Sequence, residues 1–123
     1  MTKTEIRIFQ EAENQVPLLN WLDGLPTKVH DKCTVRIELL AEKGHDLRRP
    51  HCDILEQGIH ELRIRRGNVN YRILYAYAGQ RVVLLSHGLT KEKKVPKTEI
   101  QQAVRNLKRF KENPKAHTYT GGL

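Results

Sequence analysis

The chain has 123 residues, which suits one domain with one modest core. Its formal net charge is +8, and the excess lies in one half: residues 1–57 hold 8 Lys+Arg and 10 Asp+Glu, whereas residues 58–123 hold 14 and 4. No stretch approaches the ~18 apolar residues of a membrane span, the opening MTKTEIRIFQEAENQ lacks the apolar run of a signal peptide, and Cys33 and Cys52 make no disulfide framework.

A cytoplasmic protein with no membrane contact is therefore expected, and its basic half implies a polyanionic partner. EIRIF (5–9) alternates Ile6 and Ile8 with charged neighbours and predicts a short strand. In VPLLNWLDGLP, Pro17 suits a first helical turn. Leu18, Trp21, Leu22 and Leu25 then share one helical face, which Gly24 and Pro26 end. Thr27 is placed to N-cap a second helix, whose apolar stripe is Val29, Cys33, Ile37, Leu40 and Ala41. Gly44 follows as a C′ residue. HDLRRPHCDILEQG (45–58) reads as a loop.

From residue 60 the period becomes two. HELRIRR (60–66) sets Leu62 and Ile64 against Glu61, Arg63 and Arg65. Gly67-Asn68 predicts a hairpin turn into NYRILYAY (70–77), where Tyr71, Ile73, Tyr75 and Tyr77 oppose Arg72, Leu74 and Ala76. After a turn at residues 78–80, RVVLLSH (81–87) is apolar enough to be a central strand. Pro96 opens a last helix with the stripe Ile100, Ala103, Val104, Leu107 and Phe110, and Asn113-Pro114 stops it. Residues 1–112 are expected to form one domain, and 113–123 a flexible tail. The order is β-α-α-β-β-β-α: an α+β fold, with an antiparallel sheet and helices packed on one face. The open face would carry Arg63, Arg65 and Arg72, guanidinium groups suited to phosphate.

LLSHGLTKEKK (84–94) ends the third strand of this meander. It places His87 at the strand end, Gly88 in a turn, and Lys91, Lys93 and Lys94 in the following connection. Imidazole, guanidinium and ammonium groups with few carboxylates suit one reaction, cleavage of RNA by its own 2′-OH. That reaction needs a base, an acid and cations for the charge at phosphorus, but neither a metal nor a protein nucleophile. The bland alternatives are a strand-end histidine, arginines bridging to Glu61 and a solvated lysine loop.

Other motifs carry less. His51, Cys52 and His60 match no zinc spacing, and Cys33 reads as core. Phosphate-binding glycine loops and nucleophile elbows are absent from the sequence. Residues 17–43 would make a poor recognition helix, with Lys28 and Lys32 beside Asp23 and Asp31. Tyr71, Tyr75 and Tyr77 share a strand side with Ile73 and read as core rather than as base-stacking rings.

Glu61-Leu62-Arg63, Tyr71-Arg72-Ile73-Leu74-Tyr75, the segment Leu84–Lys94 and a helix opening Glu99-Ile100 and reaching Ala103 together resemble the HigB branch of the RelE/ParE toxin superfamily, its phage-derived members included. The match is best over residues 55–110. It implies a RelE-like fold and the toxin of a type II toxin–antitoxin system, which cuts mRNA on the ribosome and so inhibits translation. The implied partners are mRNA on the ribosome and a cognate HigA-like helix-turn-helix antitoxin, through which alone promoter DNA would be met. Carried onto this chain, the catalytic candidates are Arg72, His87, Arg63 and Lys91. The RNA-binding candidates are Arg65, Arg66, Lys93, Lys94 and Lys97, and neither metal nor cofactor is expected. Two alternatives share the fold: a ParE-like toxin acting on gyrase, and a non-catalytic RNA-binding regulator. The chain departs from the pattern at Val95-Pro96, where relatives often have Thr-Pro, so the cap of the last helix is lost or moves to Thr98. It also lacks the tyrosine that some relatives carry after the lysines.

Overall fold

Alternating side chains over residues 60–90 build the centre of the structure, here a computed structural model that describes residues 3–90 and 94–122. In chain order the elements are β1 (Glu5–Ile8), α1 (Pro17–Asp23), α2 (Thr27–Lys43), β2 (Cys52–Ile54), β3 (His60–Arg66), β4 (Val69–Tyr77), β5 (Val82–Thr90) and α3 (Lys97–Glu112). The sheet order is β1-β5-β4-β3-β2. Strands β2 to β5 are antiparallel, and β1 lies parallel to β5 with Ile6 opposite Val83. The hairpin from β3 to β4 turns at Gly67, whose φ of +59° fits the first position of a type II′ turn.

The α+β order is as expected, with β2 added inside the segment read as loop and a single 3-10 turn at Gly44–Asp46. The helices do not share one face. Residues Leu62, Ile64, Tyr71, Ile73, Tyr75, Val83 and Leu85 form one core with Leu18 and Leu22 of α1 and Val29, Cys33, Ile37 and Leu40 of α2. Leu74, Ala76 and Leu89 point the other way, onto Ile100 and Ala103 of α3. Alternation along β4 requires this, because it is apolar on both sides. Each large aliphatic side chain buried here contributes about 1.5–3 kcal/mol.

Helix starts differ from expectation. Pro26 rather than Thr27 precedes α2, and Pro96 precedes α3; neither start has a side-chain cap hydrogen bond. The cap at α3 is therefore lost, not moved to Thr98. The segment read as a loose tail returns along β1. Gln10 N donates to His117 O at 3.0 Å and Tyr119 N donates to Ile8 O at 2.9 Å. His117 also stacks on Phe9 with centroids 5.4 Å apart. These contacts cover an edge that β1 would otherwise present.

Strand β5 runs three residues beyond His87, and its geometry decides where that side chain goes. Leu74 pairs with His87 but Tyr75 pairs with Leu85, so Ser86 is the extra residue of a β-bulge. The bulge turns Ser86 and His87 both towards α3. Gly88 then faces α1, where a Cβ would fall inside the Trp21 ring, whose Nε1 donates to Thr90 Oγ1 at 3.2 Å. Gly88→Ala is expected to displace Trp21 and cost about 1–3 kcal/mol. A urea midpoint equal to wild type would show that α1 yields without cost.

Candidate functional site

A cleft of about 450 Å³ opens between the α3 face of the sheet and the start of α3. Glu61 and Arg63 from β3, Arg72 from β4, Leu55 and Glu56 from the β2–β3 connection, and Lys94, Lys97 and Ile100 on the α3 side line it. Register brings the two arginines together, since Arg63 lies directly opposite Arg72. Two like charges across a strand pair repel unless a counter-charge intervenes. Glu61 supplies it. Its carboxylate, 4% exposed, accepts from Arg72 Nε at 2.6 Å and lies 3.4 Å from Arg63 Nε. Arg63 also donates to Asp53 Oδ2 at 3.0 Å, and Arg49 to Asp53 Oδ1 at 3.1 Å. Burial alone would raise the Asp53 carboxyl; hydrogen bonds from Arg49 and the Ile54 amide, with the charges of Arg49 and Arg63, hold it below its usual value. The cleft is thus less purely basic than the sequence implies. Arg63, Arg72, Lys94 and Lys97 face Glu56 and Glu61, with Asp53 behind, and the carboxylates fix the arginines in place.

The other candidates lie apart. Arg65 Nε donates to Gly67 O at the hairpin end, and Arg65 lines an adjoining depression with Arg36, His51 and Tyr71, which shares Arg63 and Arg72 with the cleft. Arg66 is exposed on the same turn. Lys91 and Lys93 fall outside the described residues. His87 does not line the cleft and is not at a solvent-facing strand end: it is 8% exposed beneath α3. Asn106 Nδ2 donates to Ser86 Oγ at 2.9 Å, and Ser86 Oγ lies 2.8 Å from His87 Nδ1. With that hydroxyl donating to Nδ1, the ring proton sits on Nε2, which faces Glu99 Oε1 at 3.5 Å. That separation is ion-pair range, and Nε2 makes no hydrogen bond among the described residues. Burial pushes the His87 imidazole below its usual value, and nearby Glu99 offsets only part of this. Gln102 Nε2 extends the chain by donating to Asn106 Oδ1 at 2.8 Å.

Sequence reasoning missed Asp53, Ser86, Asn106 and Glu99 in these networks. Only the register of β2 sets Asp53 opposite Glu61, and only the bulge aims Ser86 at α3. Tyr71 and Tyr75 are core, as read, whereas Tyr77 is half-buried at the sheet end. Burial pushes the Cys33 thiol up to about 11, consistent with an inert core residue. Among the described residues no cluster of His, Cys, Asp or Glu could hold a metal ion, and no helix is long and apolar enough to cross a membrane.

The whole of this cleft falls within a family match. A model of the family described as phage derived protein Gp49-like (DUF891) covers residues 20–108, from within α1 to most of α3. The chain belongs to the Gp49-like family. Gp49-like proteins belong with the RelE/HigB-like toxins. None of the curated proteins matches the chain.

Proposed function

We propose that this Gp49-like protein is the toxin of a type II toxin–antitoxin pair, of the HigB kind, and cuts mRNA on the ribosome by metal-independent attack of the 2′-OH. The observation that carries the reading is the Arg63–Arg72 pair, set side by side by strand register and anchored on buried Glu61, with Lys94 and Lys97 lining the same cleft. Preorganised guanidinium groups stabilise charge as it develops on a phosphorane, without reorganising at the moment of reaction. Family membership supports the same reading. Arg72 and Arg63 hold the scissile phosphate, and Lys94 and Lys97 hold the flanking backbone. Among the described residues, the groups on the cleft able to carry protons are Glu61, Glu56 and the two lysines. The ribosome supplies substrate positioning, which can replace much of what a small site lacks. The proposed partner is a cognate antitoxin, HigA-like and carrying a helix-turn-helix, which would alone contact promoter DNA.

The test is primer extension on a defined mRNA with and without translating ribosomes, together with the chemistry of the ends. Attack by the 2′-OH leaves a 2′,3′-cyclic phosphate and a 5′-hydroxyl. Cuts only with ribosomes, bearing 5′-hydroxyl ends, are expected. A folded, antitoxin-free protein that makes no cuts would overturn the nuclease reading and favour a gyrase-directed or non-catalytic one.

A further inference from the structure

On the sheet face opposite the cleft, α2 stops short of the β2 edge and leaves a second pocket of about 490 Å³. The rings of His45, His60, Tyr75 and Tyr77 line it, with Arg48 and Arg49. The rings are already ordered against one another: His45 stacks on Tyr77 at 3.8 Å, His60 stacks on Tyr75 at 5.1 Å, and His60 meets Tyr77 edge-on at 5.6 Å. Burial and the neighbouring His45 push the His60 imidazole below its usual value, which favours a neutral ring. Arg48 is held by the carbonyls of His45 and Leu47, whereas the Arg49 side chain is 75% exposed at the rim.

The pocket and the cleft are joined. One carboxylate on the edge strand, Asp53, takes Arg49 on Oδ1 and Arg63 on Oδ2. Arg49 lines the pocket and Arg63 lines the cleft, so two guanidinium groups lie one carboxylate apart across β2. We propose that the pocket is a nucleobase subsite: it takes one base of single-stranded RNA against the His60 and Tyr77 rings, which buried Tyr75 backs, with Arg49 on the adjoining phosphate, and the strand crosses β2 from the cleft. The occupant follows from the chemistry. Flat π faces accept any base without pairing, and the rim offers cations while its carboxylate is already held by two arginines. The volume suits a nucleotide. The path across β2 rests on the ribonuclease reading of the cleft; base binding in the pocket does not.

The test uses the full chain and two uncleavable probes of equal charge, a 2′-O-methyl penta-adenylate and its abasic backbone, compared by fluorescence anisotropy. Wild type is expected to bind the base-bearing probe about tenfold more tightly, the contribution of a stacked base. Tyr77→Leu keeps an apolar side chain and should bring the two probes to within about twofold. His60→Leu serves if Tyr77→Leu does not fold. Equal binding of both probes by wild type overturns the subsite, as does a preference retained in both variants. Rings that respond to the antitoxin but not to the probes would assign the pocket to a protein partner and overturn it too. Because the probes cannot be cut and no ribosome is present, a protein that never cleaves mRNA can still pass, so failure of the nuclease reading is seen separately.

Discussion

Arg72→Lys is expected to keep the fold and to lose ribosome-dependent cleavage by about two to three orders of magnitude, the loss seen when one preorganised donor to a developing oxyanion is removed. Arg72 has two tasks in this arrangement. Its Nε neutralises Glu61 at 2.6 Å, and its guanidinium lines the cleft where the phosphate would sit. A planar fork can serve a carboxylate and a phosphate together; an ammonium is a point charge that satisfies one of them. Burial of Glu61 ensures that the lysine is spent on the carboxylate, leaving the phosphate without its donor. Arg72→Ala is the less informative variant. It leaves Glu61, 4% exposed, with only the longer 3.4 Å contact from Arg63 among the described residues, and breaking a buried pair costs about 3 kcal/mol. A loss of that size is a large part of a small domain's ~5–15 kcal/mol, so lost cleavage would mix chemistry with unfolding. Single-turnover cutting on programmed ribosomes, beside a urea melt, separates the two. Wild-type cutting by Arg72→Lys with a native melt would remove Arg72 from the chemistry.

What was legible in the sequence was what periodicity encodes. Strands β3 and β4 announce themselves by alternation and by Gly67, β5 by its apolar run, and the adjacency of Arg63 and Arg72 follows from the hairpin. The side of α3 was not legible for a physical reason: β4 offers Ile73 and Tyr75 to one face and Leu74 and Ala76 to the other, so either could have received all the helices. Strand β2 has three residues, too few to show a period, yet it positions Asp53 beside Arg63. His87 shows what a bulge does to such reasoning. One extra residue at Ser86 reverses which side chains face α3, and nothing in LLSHG marks it. The site was therefore half readable: the arginines came from regular pairing, and the supporting carboxylates and the fate of the histidine came from irregular pairing.

His87→Ala is expected to destabilise the protein by about 2 kcal/mol, because it leaves the buried Ser86 hydroxyl without its Nδ1 partner. His87→Gln, whose side-chain amide can meet Ser86, should recover much of that loss. The groups facing the ring nitrogens are Ser86 at Nδ1, itself held by Asn106, and Glu99 at Nε2. Burial depresses the folded imidazole below its usual 6.5, and Glu99 does not restore it. The unfolded chain therefore takes up a proton at a higher pH than the folded one does. His87 adds stability above pH 6.5, and this is lost as the pH falls from there towards the lower folded value. His60 acts in the same direction, also through burial. Wild type should thus melt at lower temperature at pH 5.5 than at pH 7.5, and His87→Gln should flatten that dependence in part, leaving the share due to His60. Activity separates a positioning role from a catalytic one. A histidine beneath α3 holds the helix that carries Lys97, so His87→Gln should cut mRNA at close to the wild-type rate per folded molecule, with an unchanged pH–rate profile. Loss of cutting where His87→Gln is fully folded would return the imidazole to the chemistry and require α3 to lift from the sheet during the reaction.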